Sequence, residues 1–392
     1  MSEAKQFKDP VSGRPVWRCT SVGNRNITLY FHARGWSRDS RWLYFASTRP
    51  TSDDPAGARH KLFRLAVPDG VPQRVPGSGL VEGNFSHALA PDDLLLYEQT
   101  PSALFRIDSS GSRRQLAEFD PDCEAGCCIS VSCDGKLLAK SRVTPLTKKE
   151  SDYPDKVTYW WSHVMMPDVR DGWLEVYDSA DGRRRDILHD RRAFGHVQFS
   201  PADSGLLSFC HEGNWCLVQR MWTIRADGTG LRCVRSYPYR REGWGHEFFS
   251  ADGRAMLGHG YRLREEYVSG RPNWARSDWF IFRQSLSDPQ DFQSWPEEKR
   301  SVHWNLGAAE DWLVGDGADG AENEAIWRAW IRPGTPRAEF EPLATLQGNA
   351  IHSPMAGAAR AEPNAQTSPD GKWVAYTSSR ESDGPQTWVV KL

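Results

Sequence analysis

The stretch TSPDGKWVAYTSS, residues Thr367–Ser379, places an Asp-Gly turn directly before a short apolar strand. Asp-Gly is a strong hairpin signal because glycine adopts the positive φ that tight turns require. Six other stretches show the same order of a small or polar residue, a turn and an apolar strand: WSRDSRWLYFAST (36–48), LAPDDLLLYEQT (89–100), VSCDGKLLAKSR (131–142), FSPADSGLLSFCHE (199–212), FSADGRAMLGHGY (249–261) and LGAAEDWLVGDG (306–317). The chain therefore carries seven copies of one hairpin pattern.

A second signature, an aromatic strand that ends in a turn or at the end of the chain, follows each copy. The seven examples are LFRLAVPDG, LFRIDSSGS, LEVYDSADG, MWTIRADGTG, WFIFRQSLSDP, IWRAWIRPGT and the final TWVVKL. Paired hairpins that recur every 40 to 70 residues or so are typical of a β-propeller. The 18 tryptophans suit the wedges between neighbouring blades. The repeats predict an all-β, seven-bladed β-propeller; two β-sandwich domains are the alternative, which the even spacing disfavours.

The repeats also predict the boundaries of the domain. We expect a flexible N-terminus over residues 1–15 and one propeller over residues 16–392. The motif-rich blades cover about 190–262, and the final blade covers about 345–392. TWVVKL is expected to pair with residues 15–20, which would join the two ends of the chain.

Two insertions interrupt the repeats, at residues 143–172 and 262–276. Loops of this length in compact domains are usually functional or disordered. The first contains Tyr159, Trp160 and Trp161, which either stack on sugar rings or cover the core.

The composition argues against several classes of partner. The formal net charge of −2 gives no basis for binding nucleic acid or an acidic membrane. The first residues, MSEAKQFKDP, lack the apolar core of a signal peptide, and no apolar run approaches the length of a membrane span. These features predict a cytoplasmic protein; they do not indicate its oligomeric state.

Half of the eight cysteines form a cluster at Cys123, Cys127, Cys128 and Cys133. The C-x3-CC-x4-C spacing is not a standard zinc pattern, and no second Cys/His pair completes it. We therefore interpret these residues as reduced, structural cysteines.

One repeat carries an unusual set of polar residues at the ends of its predicted strands. His196 precedes a strand, His211 and Glu212 end it, Arg220 begins the next strand, and His246 opens the following blade. Polar groups at strand ends lie on a rim of a propeller, where several blades contribute to one ligand site. From the residues alone, a functional site and a set of structural histidines both remain open.

At these residues the chain resembles oligogalacturonate lyase, a family of seven-bladed propellers. The most specific motifs are GHVQFSP, FCHEG, RMW and GHEFF, with the His211 to His246 spacing of the family. The resemblance extends to NRNITLYFHARGWSRDSRWLYF near the start, NFSHALAPDDLLLYEQTPSALFRID in the second blade and TSPDGKWVAYTSS in the last.

The resemblance implies a chemistry and roles for four residues. The family cleaves short oligogalacturonides by β-elimination with a divalent metal, usually manganese. The resemblance makes His246 the base that abstracts the C5 proton and Arg220 the partner of the C6 carboxylate, while His211 and His196 bind substrate. Charge neutralisation at the carboxylate stabilises the enolate-like intermediate, so that a neutral histidine can remove the proton.

The metal-binding segment departs from the family pattern. His303 in SVHWNL resembles a metal ligand, but the family's Gln-x-x-His-x-His-Pro segment is replaced here by residues 359–365. Ala359 stands for the glutamine, and Glu362 and Asn364 stand for the two histidines. A set of His303, Glu362 and Asn364 suits Mn²⁺, with Mg²⁺ or Ca²⁺ as alternatives. His352 is a further candidate ligand, and a plain turn is the alternative role of Glu362 and Asn364.

Together these features predict a lyase that acts on a short oligogalacturonide or a related acidic oligosaccharide. The rival is a non-catalytic propeller that binds a uronic-acid oligosaccharide or a protein. Loss of the His-x-His pair favours the rival, and retention of His211, Arg220, His246 and His303 disfavours it. A propeller hydrolase with a serine nucleophile is disfavoured because the chain has no G-x-S-x-G elbow.

Overall fold

The computed structural model describes the chain with several short gaps. The described residues are 2–81, 83–126, 128–146, 148–154, 170–268, 276–309, 311–317, 325–346, 362–382 and 384–392. Within these ranges the regular structure is β-strand, apart from 3₁₀ residues at Glu150–Asp152 and at Arg276. No helix in the described ranges is long and apolar enough to cross a membrane.

The strands form seven antiparallel sheets, numbered here along the chain. Sheet 1 contains Asn26–Thr28, Trp42–Ser47, Lys61–Ala66 and Gln73–Arg74. Sheet 2 contains His87–Leu89, Leu95–Gln99, Ala103–Asp108 and Arg113–Glu118. Sheet 3 contains Glu124–Ala125, Ser130–Val131, Leu137–Val143, Gly172–Asp178 and Arg184–Asp190. Sheet 4 contains Phe194–Phe199, Leu206–His211, Met221–Arg225 and Arg232–Cys233.

The remaining three sheets follow the same plan. Sheet 5 contains Glu242–Phe249, Ala255–Leu263, Ser277–Ser285 and Phe292–Pro296. Sheet 6 contains Trp304–Leu306, Trp312–Gly315, Ala325–Trp330 and Glu339–Thr345. Sheet 7 contains Gln366–Thr367, Trp373–Ser378, Gln386–Lys391, Pro15–Arg18 and Lys5–Lys8.

Each of the seven sequence motifs carries the turn between two consecutive, paired strands of one sheet, as the repeats predict. In sheet 3, the Ser132 hydroxyl donates to the Asp134 carboxylate (2.7 Å), which also accepts the Lys136 N–H (3.2 Å). The same serine-to-aspartate bond recurs at Ser250 and Ser368. Local side-chain bonds of this kind stabilise tight turns, so the repeated residues build the repeated hairpins. The prediction of an all-β chain of seven blades is confirmed.

The chain divides into two compact units, each with its own apolar cores. The first comprises residues 1–100, 107–114 and 298–392, and the second comprises residues 101–106 and 115–297. In the first unit, Val314, Tyr376 and Trp388 pack together between sheets 6 and 7. In the second, the core between sheets 4 and 5 contains Met221, Trp244, Phe249, Met256 and Phe282. Large side chains fill the space between adjacent sheets, as expected from the tryptophan content.

The last sheet combines both ends of the chain. Pro15–Arg18 pairs with the C-terminal strand, with Val16 opposite Val390, as the sequence predicts. The sheet also extends before the boundary expected at residue 16, because Lys5–Lys8 pairs with Pro15–Arg18. Asp9 holds the connecting turn by accepting the N–H of Ser12 at 2.9 Å. The KQFK segment has too weak an apolar pattern to reveal this strand from sequence.

The seven cysteines within the described ranges are free, and no disulfide joins any two of them. Cys127 lies outside those ranges. So do residues 155–169, which include Tyr159, Trp160 and Trp161, and residues 269–275 of the second insertion.

Candidate active site

Two histidines occupy the same strained position in the first strands of sheets 4 and 5. The strands contain GHVQF and GHEFF, and each pairing shifts register there, between Gly195 and Gln198 and between Gly245 and Phe248. His196 and His246 have φ values of 49° and 48°. Such bulges redirect side chains, and positive φ in a non-glycine residue is uncommon outside functional or tightly constrained sites. The two imidazole centroids lie 5.7 Å apart.

His196 forms a buried ion pair with Glu247. The His196 Nδ1 lies 3.2 Å from the Glu247 Oε1, and both residues are buried. Burial by itself lowers the pKa of His196, but the charge and hydrogen bond of Glu247 outweigh it and raise the pKa. Burial by itself raises the pKa of Glu247, but the charge and hydrogen bond of His196 outweigh it and bring the pKa below its ordinary value. Each partner therefore favours the charged form of the other.

Arg220 supplies a fixed positive charge beside this pair. It is 2% exposed and directly precedes the strand Met221–Arg225. Its guanidinium donates to the Glu212 carboxylate (3.2 Å), the Gly213 carbonyl (3.3 Å) and the Cys210 sulfur (3.0 Å). Burial opposes the charge, but Cys210, Glu212 and Glu247 raise the pKa of Arg220 above its usual range.

His246 is held from behind by a second histidine and a carboxylate. Its Nδ1 lies 3.0 Å from the Nε2 of His259, whose own Nδ1 lies 3.2 Å from the Glu297 Oε2. The indole of Trp215 stands perpendicular to the His246 ring at 4.9 Å and also lies 5.5 Å from the Arg220 guanidinium. Gly245 makes room for this indole, since a Cβ there would come within 2.5 Å of it.

His211 ends the strand Leu206–His211 and faces a different neighbour. Its Nε2 lies 3.5 Å from the Asp190 carboxylate, and its ring packs against Phe194 and Trp222. Its backbone N–H donates to the Arg220 carbonyl at 3.0 Å. The structure thus brings His196, Arg220 and His246 around one cluster and sets the His211 side chain beside Asp190.

Several residues of this cluster had no role assigned from sequence. They are Cys210, Trp215, Glu247, His259 and Glu297. The only available signal for His259 was the Gly-His-Gly triplet within the strand Ala255–Leu263, where a histidine interrupts an apolar run. Glu297 follows the outermost strand of sheet 5 and gave no signal, because its partner is distant in the chain.

His196, Cys210 and Glu247 also satisfy the geometry of a metal cluster. One ligand atom from each lies within 4.8 Å of the others, and all three residues are buried. Arg220 already contacts the Cys210 sulfur and stabilises the Glu247 charge. A cation in this cluster would face the repulsion of that guanidinium, so we assign the positive charge here to Arg220.

The described residues predicted to bind metal lie just before the strands Trp304–Leu306 of sheet 6 and Gln366–Thr367 of sheet 7. The His303 Nδ1 lies 2.7 Å from the Asp316 Oδ2, and the ring stacks on Phe31 at 4.5 Å. The His303 Nε2 faces the Glu362 Oε2 at 3.9 Å. A carboxylate on the rear nitrogen is the usual arrangement for a metal-ligating histidine. Small divalent ions bind such atoms at about 2.0–2.2 Å, so one ion can span the separation between His303 and Glu362.

The third predicted ligand, Asn364, takes part in the local framework. Its Oδ1 accepts the Phe31 N–H at 3.2 Å, and its Nδ2 donates to the Glu362 carbonyl at 3.2 Å. Its φ of 45° matches those of His196 and His246, and each of the three stands four residues before a turn serine. His303 and Glu362 therefore fit a divalent ion, with Asn364 supporting the Glu362 backbone. Ala359 and His352 lie outside the described residues.

Comparison with known proteins shows which family the chain belongs to. The sequence model described as oligogalacturonate lyase matches residues 3–267. The chain belongs to the oligogalacturonate lyase family. The matched range contains His196, His211, Arg220 and His246, and it ends before His303.

Relatives and solved structures agree with this assignment. The chain is 29% identical over 264 residues to an oligogalacturonide lyase of Pectobacterium atrosepticum. The aligned region covers 64% of this chain and 62% of the relative. It is also 29% identical over 263 residues to an oligogalacturonate lyase of Dickeya dadantii, with the same coverage. The matched region thus spans about three fifths of the length of these curated relatives.

Two solved structures confirm the seven-bladed β-propeller. One, described as oligogalacturonate lyase in complex with manganese, superposes with a TM-score of 0.80 at 21% identity and covers 100% of this chain and 96% of its own. The other, an oligogalacturonate lyase from Vibrio parahaemolyticus, has a TM-score of 0.80 at 18% identity and covers 100% and 97%.

Proposed function

We propose that this chain is a lyase that cleaves a short oligogalacturonide, or a closely related oligo-uronide, by β-elimination. The observation that carries the proposal is the buried cluster in which Trp215 packs against both the His246 imidazole and the Arg220 guanidinium. Elimination from a uronide needs a base close to a fixed positive charge, and these two residues supply both.

The reaction follows from the acidity of the substrate. The C5–H of a uronide is a poor acid while the adjacent C6 carboxylate is negative, because removal of the proton adds a second negative charge. Arg220 offsets the charge of that carboxylate and lowers the barrier. His246 then takes the C5 proton, the electron pair of the C5–H bond forms the C4–C5 double bond, and the C4–O4 bond breaks. O4 leaves as a hydroxyl after protonation by water.

The remaining side chains of the cluster prepare these two groups. Glu212, Cys210 and the Gly213 carbonyl accept hydrogen bonds from the two terminal nitrogens of the guanidinium and so fix its plane. The His196–Glu247 pair lies beside His246, and with His211 it is proposed to bind the hydroxyl and carboxylate groups of the sugar. Burial strengthens each of these polar contacts relative to water.

We propose that His303 and Glu362, with Asn364, hold a divalent cation, with Mn²⁺ as the first candidate and Mg²⁺ or Ca²⁺ as alternatives. Asp316 orients the His303 ring for this role, and the carboxylate oxygen of Glu362 suits hard ions. When bound, such a cation supplies further neutralisation of a uronate carboxylate.

Mass spectrometry of the products of digalacturonate tests the proposal. Saturated and 4,5-unsaturated digalacturonate would be incubated with the protein, with added Mn²⁺ and with EDTA. Metal-dependent formation of the unsaturated monosaccharide from either substrate supports lyase chemistry and the cation site together. Absence of any cleavage across a panel of oligo-uronides, with binding retained, would instead establish the sugar-binding propeller.

A further inference from the structure

The hydrogen-bond chain behind His246 suggests a specific role in catalysis. We propose that His259 and Glu297 are positioning residues that set the tautomer of His246 and so leave its Nε2 as the basic nitrogen. This inference rests on the proposed role of His246 as the base.

The three side chains form one continuous line. The distances are 3.0 Å from the His246 Nδ1 to the His259 Nε2 and 3.2 Å from the His259 Nδ1 to the Glu297 Oε2. The rings of His246 and His259 are nearly parallel, with an interplanar angle of 22° and centroids 5.2 Å apart. Both separations are hydrogen-bond distances.

The order of donors and acceptors along this line follows from the carboxylate at its end. An ionised carboxylate only accepts hydrogen bonds, so the His259 Nδ1 must carry a proton. A neutral His259 then has its lone pair on Nε2 and accepts the Nδ1–H of His246. A neutral His246 that is protonated on Nδ1 has its lone pair on Nε2. The Glu297 carboxylate thus determines which nitrogen of each imidazole carries the proton. It leaves the lone pair of His246 on Nε2, the nitrogen proposed to remove the C5 proton.

The surroundings hold this line in place. The side chain of Glu297 has no exposed surface and that of His259 has 2%. Gly258 and Gly260 flank His259, and a Cβ on Gly260 would lie 2.7 Å from the Gly243 carbonyl, so adjacent backbones pack too closely for the strand to shift. Trp215 and Trp279 pack against the His259 ring at 5.5 and 5.6 Å. A fixed tautomer requires such rigidity, because a loosely held imidazole exchanges between both forms.

The arrangement also stabilises the product of proton abstraction. When His246 takes a proton on Nε2 it becomes a cation, and its Nδ1–H bond to His259 then gains strength. The Glu297 carboxylate compensates the new charge through His259. This is the same division of labour as in a catalytic triad, with one additional imidazole in the line.

The first test is direct observation of the tautomer. The ¹⁵N shifts of histidine-labelled protein distinguish protonated from unprotonated ring nitrogens, and the His246 signals are assigned by their loss in His246→Gln. We expect the Nδ1-protonated form in the wild-type chain and the Nε2-protonated form, or a mixture, in Glu297→Gln. An Nε2-protonated His246 in the wild-type chain overturns the proposal without any measurement of activity.

The second test uses kinetics with a rescue. Glu297→Gln and His259→Phe should each lower kcat on oligogalacturonide about 10²-fold, with KM changed little. His259→Gln should recover most of that loss, because its amide accepts the His246 N–H at one end and donates to Glu297 at the other. The matched control is Glu98→Gln, which alters a buried carboxylate 3.1 Å from His87 in the other compact unit and should leave kcat unchanged.

The outcomes separate this inference from the proposed function. If His246→Gln is inactive while Glu297→Gln and His259→Phe retain full kcat, the relay is wrong and the base assignment stands. If His246→Gln keeps wild-type kcat, the base assignment itself fails. Equal losses in His259→Phe and His259→Gln, together with a matching loss of thermal stability, would reduce both residues to structural support and overturn the proposal.

Discussion

The regions around His246 and His303 both contain a buried histidine with a hydrogen-bonded Nδ1. They differ in how many buried charged groups surround that histidine. Each has a buried histidine whose Nδ1 is held, by His259 and Glu297 in one case and by Asp316 in the other. The His246 region has a buried arginine and an ion pair around it, and it lies within the range matched by the family. The His303 region lies beyond that range, with Glu362 30% exposed on its side chain and the Asn364 oxygen bonded to Phe31.

The difference shows that the residues around His246 follow the family pattern more closely than the residues around His303. His246 and Arg220 lie in a rigid, fully packed setting, whereas Glu362 and Asn364 stand where the family pattern has two histidines. We therefore expect substitutions in the first region to act on the rate of the reaction. Substitutions in the second region should act mainly on the affinity for the cation.

The largest effect is expected for His246→Ala. Loss of the base should lower kcat by about 10³-fold, because general-base catalysis contributes at that level. Binding of oligogalacturonide, measured by calorimetry, should stay largely intact. His189→Ala, which changes a histidine with a 53% exposed side chain, is the control and should keep full activity. Wild-type turnover in the His246 variant would remove the base assignment.

The next effect concerns Arg220. Replacement by methionine keeps a long side chain but removes the charge, and we expect kcat/KM to fall about 10²-fold with a lower melting temperature. Glu212 and Glu247 would lose the cation that stabilises their charge, which accounts for the loss of stability. Arg220→Lys should recover the charge without the fork that contacts Cys210 and Gly213, and therefore only part of the rate. An unchanged kcat/KM in the methionine variant contradicts the assigned role.

A smaller effect should follow from restoring the family's nitrogen ligands. The double variant Glu362→His, Asn364→His should bind Mn²⁺ about tenfold more tightly than the natural chain, since imidazole nitrogens suit first-row ions. The backbone at Asn364 tolerates histidine because its φ of 45° lies close to the values that His196 and His246 adopt. Titration of Mn²⁺ by calorimetry gives the affinity, and Glu362→Ala serves as the variant with weakened binding. Equal affinity in all three chains would place the cation elsewhere.

The smallest effect is a change in how stability depends on pH. The pKa of His196 is raised above its ordinary value of 6.5, so its contribution is complete below that pH and is lost as the pH rises through the raised pKa. The pKa of Glu247 is lowered from 4.5, so its contribution is present above that pH and is lost on acidification. The pair should therefore stabilise the fold most between pH 4.5 and 6.5.

Thermal melting of Glu247→Gln measures this dependence. Relative to the wild-type chain, the variant should lose more stability at pH 6 than at pH 9. Arg220 and Glu212 lie near the same pair and keep their charges over this range, so they do not produce the difference. A loss of stability that is equal at both pH values would show that Glu247 acts through packing alone.

Much of the fold was predictable from the sequence because hairpin signals are local. Each Asp-Gly or equivalent turn specifies its own two strands, and each of the seven motifs falls on two consecutive, paired strands of one sheet. The strand Lys5–Lys8 escaped prediction because its pairing depends on the distant Pro15–Arg18 and C-terminal strands. Residues of the candidate site could be named from sequence only where a family motif marked them, as for His196, Arg220 and His246, and their roles stay predictions.

The sequence by itself determined the number of hairpins, the all-β class and the presence of a histidine-rich repeat, since these depend on turn residues and apolar alternation close together in the chain. The tertiary structure alone decided which partners those histidines have. His246 contacts His259, which is 13 residues away in the sequence, and His259 contacts Glu297, which is a further 38 residues away. These contacts arise because a register shift between Gly245 and Phe248 redirects the side chains of a strand, and a shift of one residue in a pleated sheet exchanges its two faces.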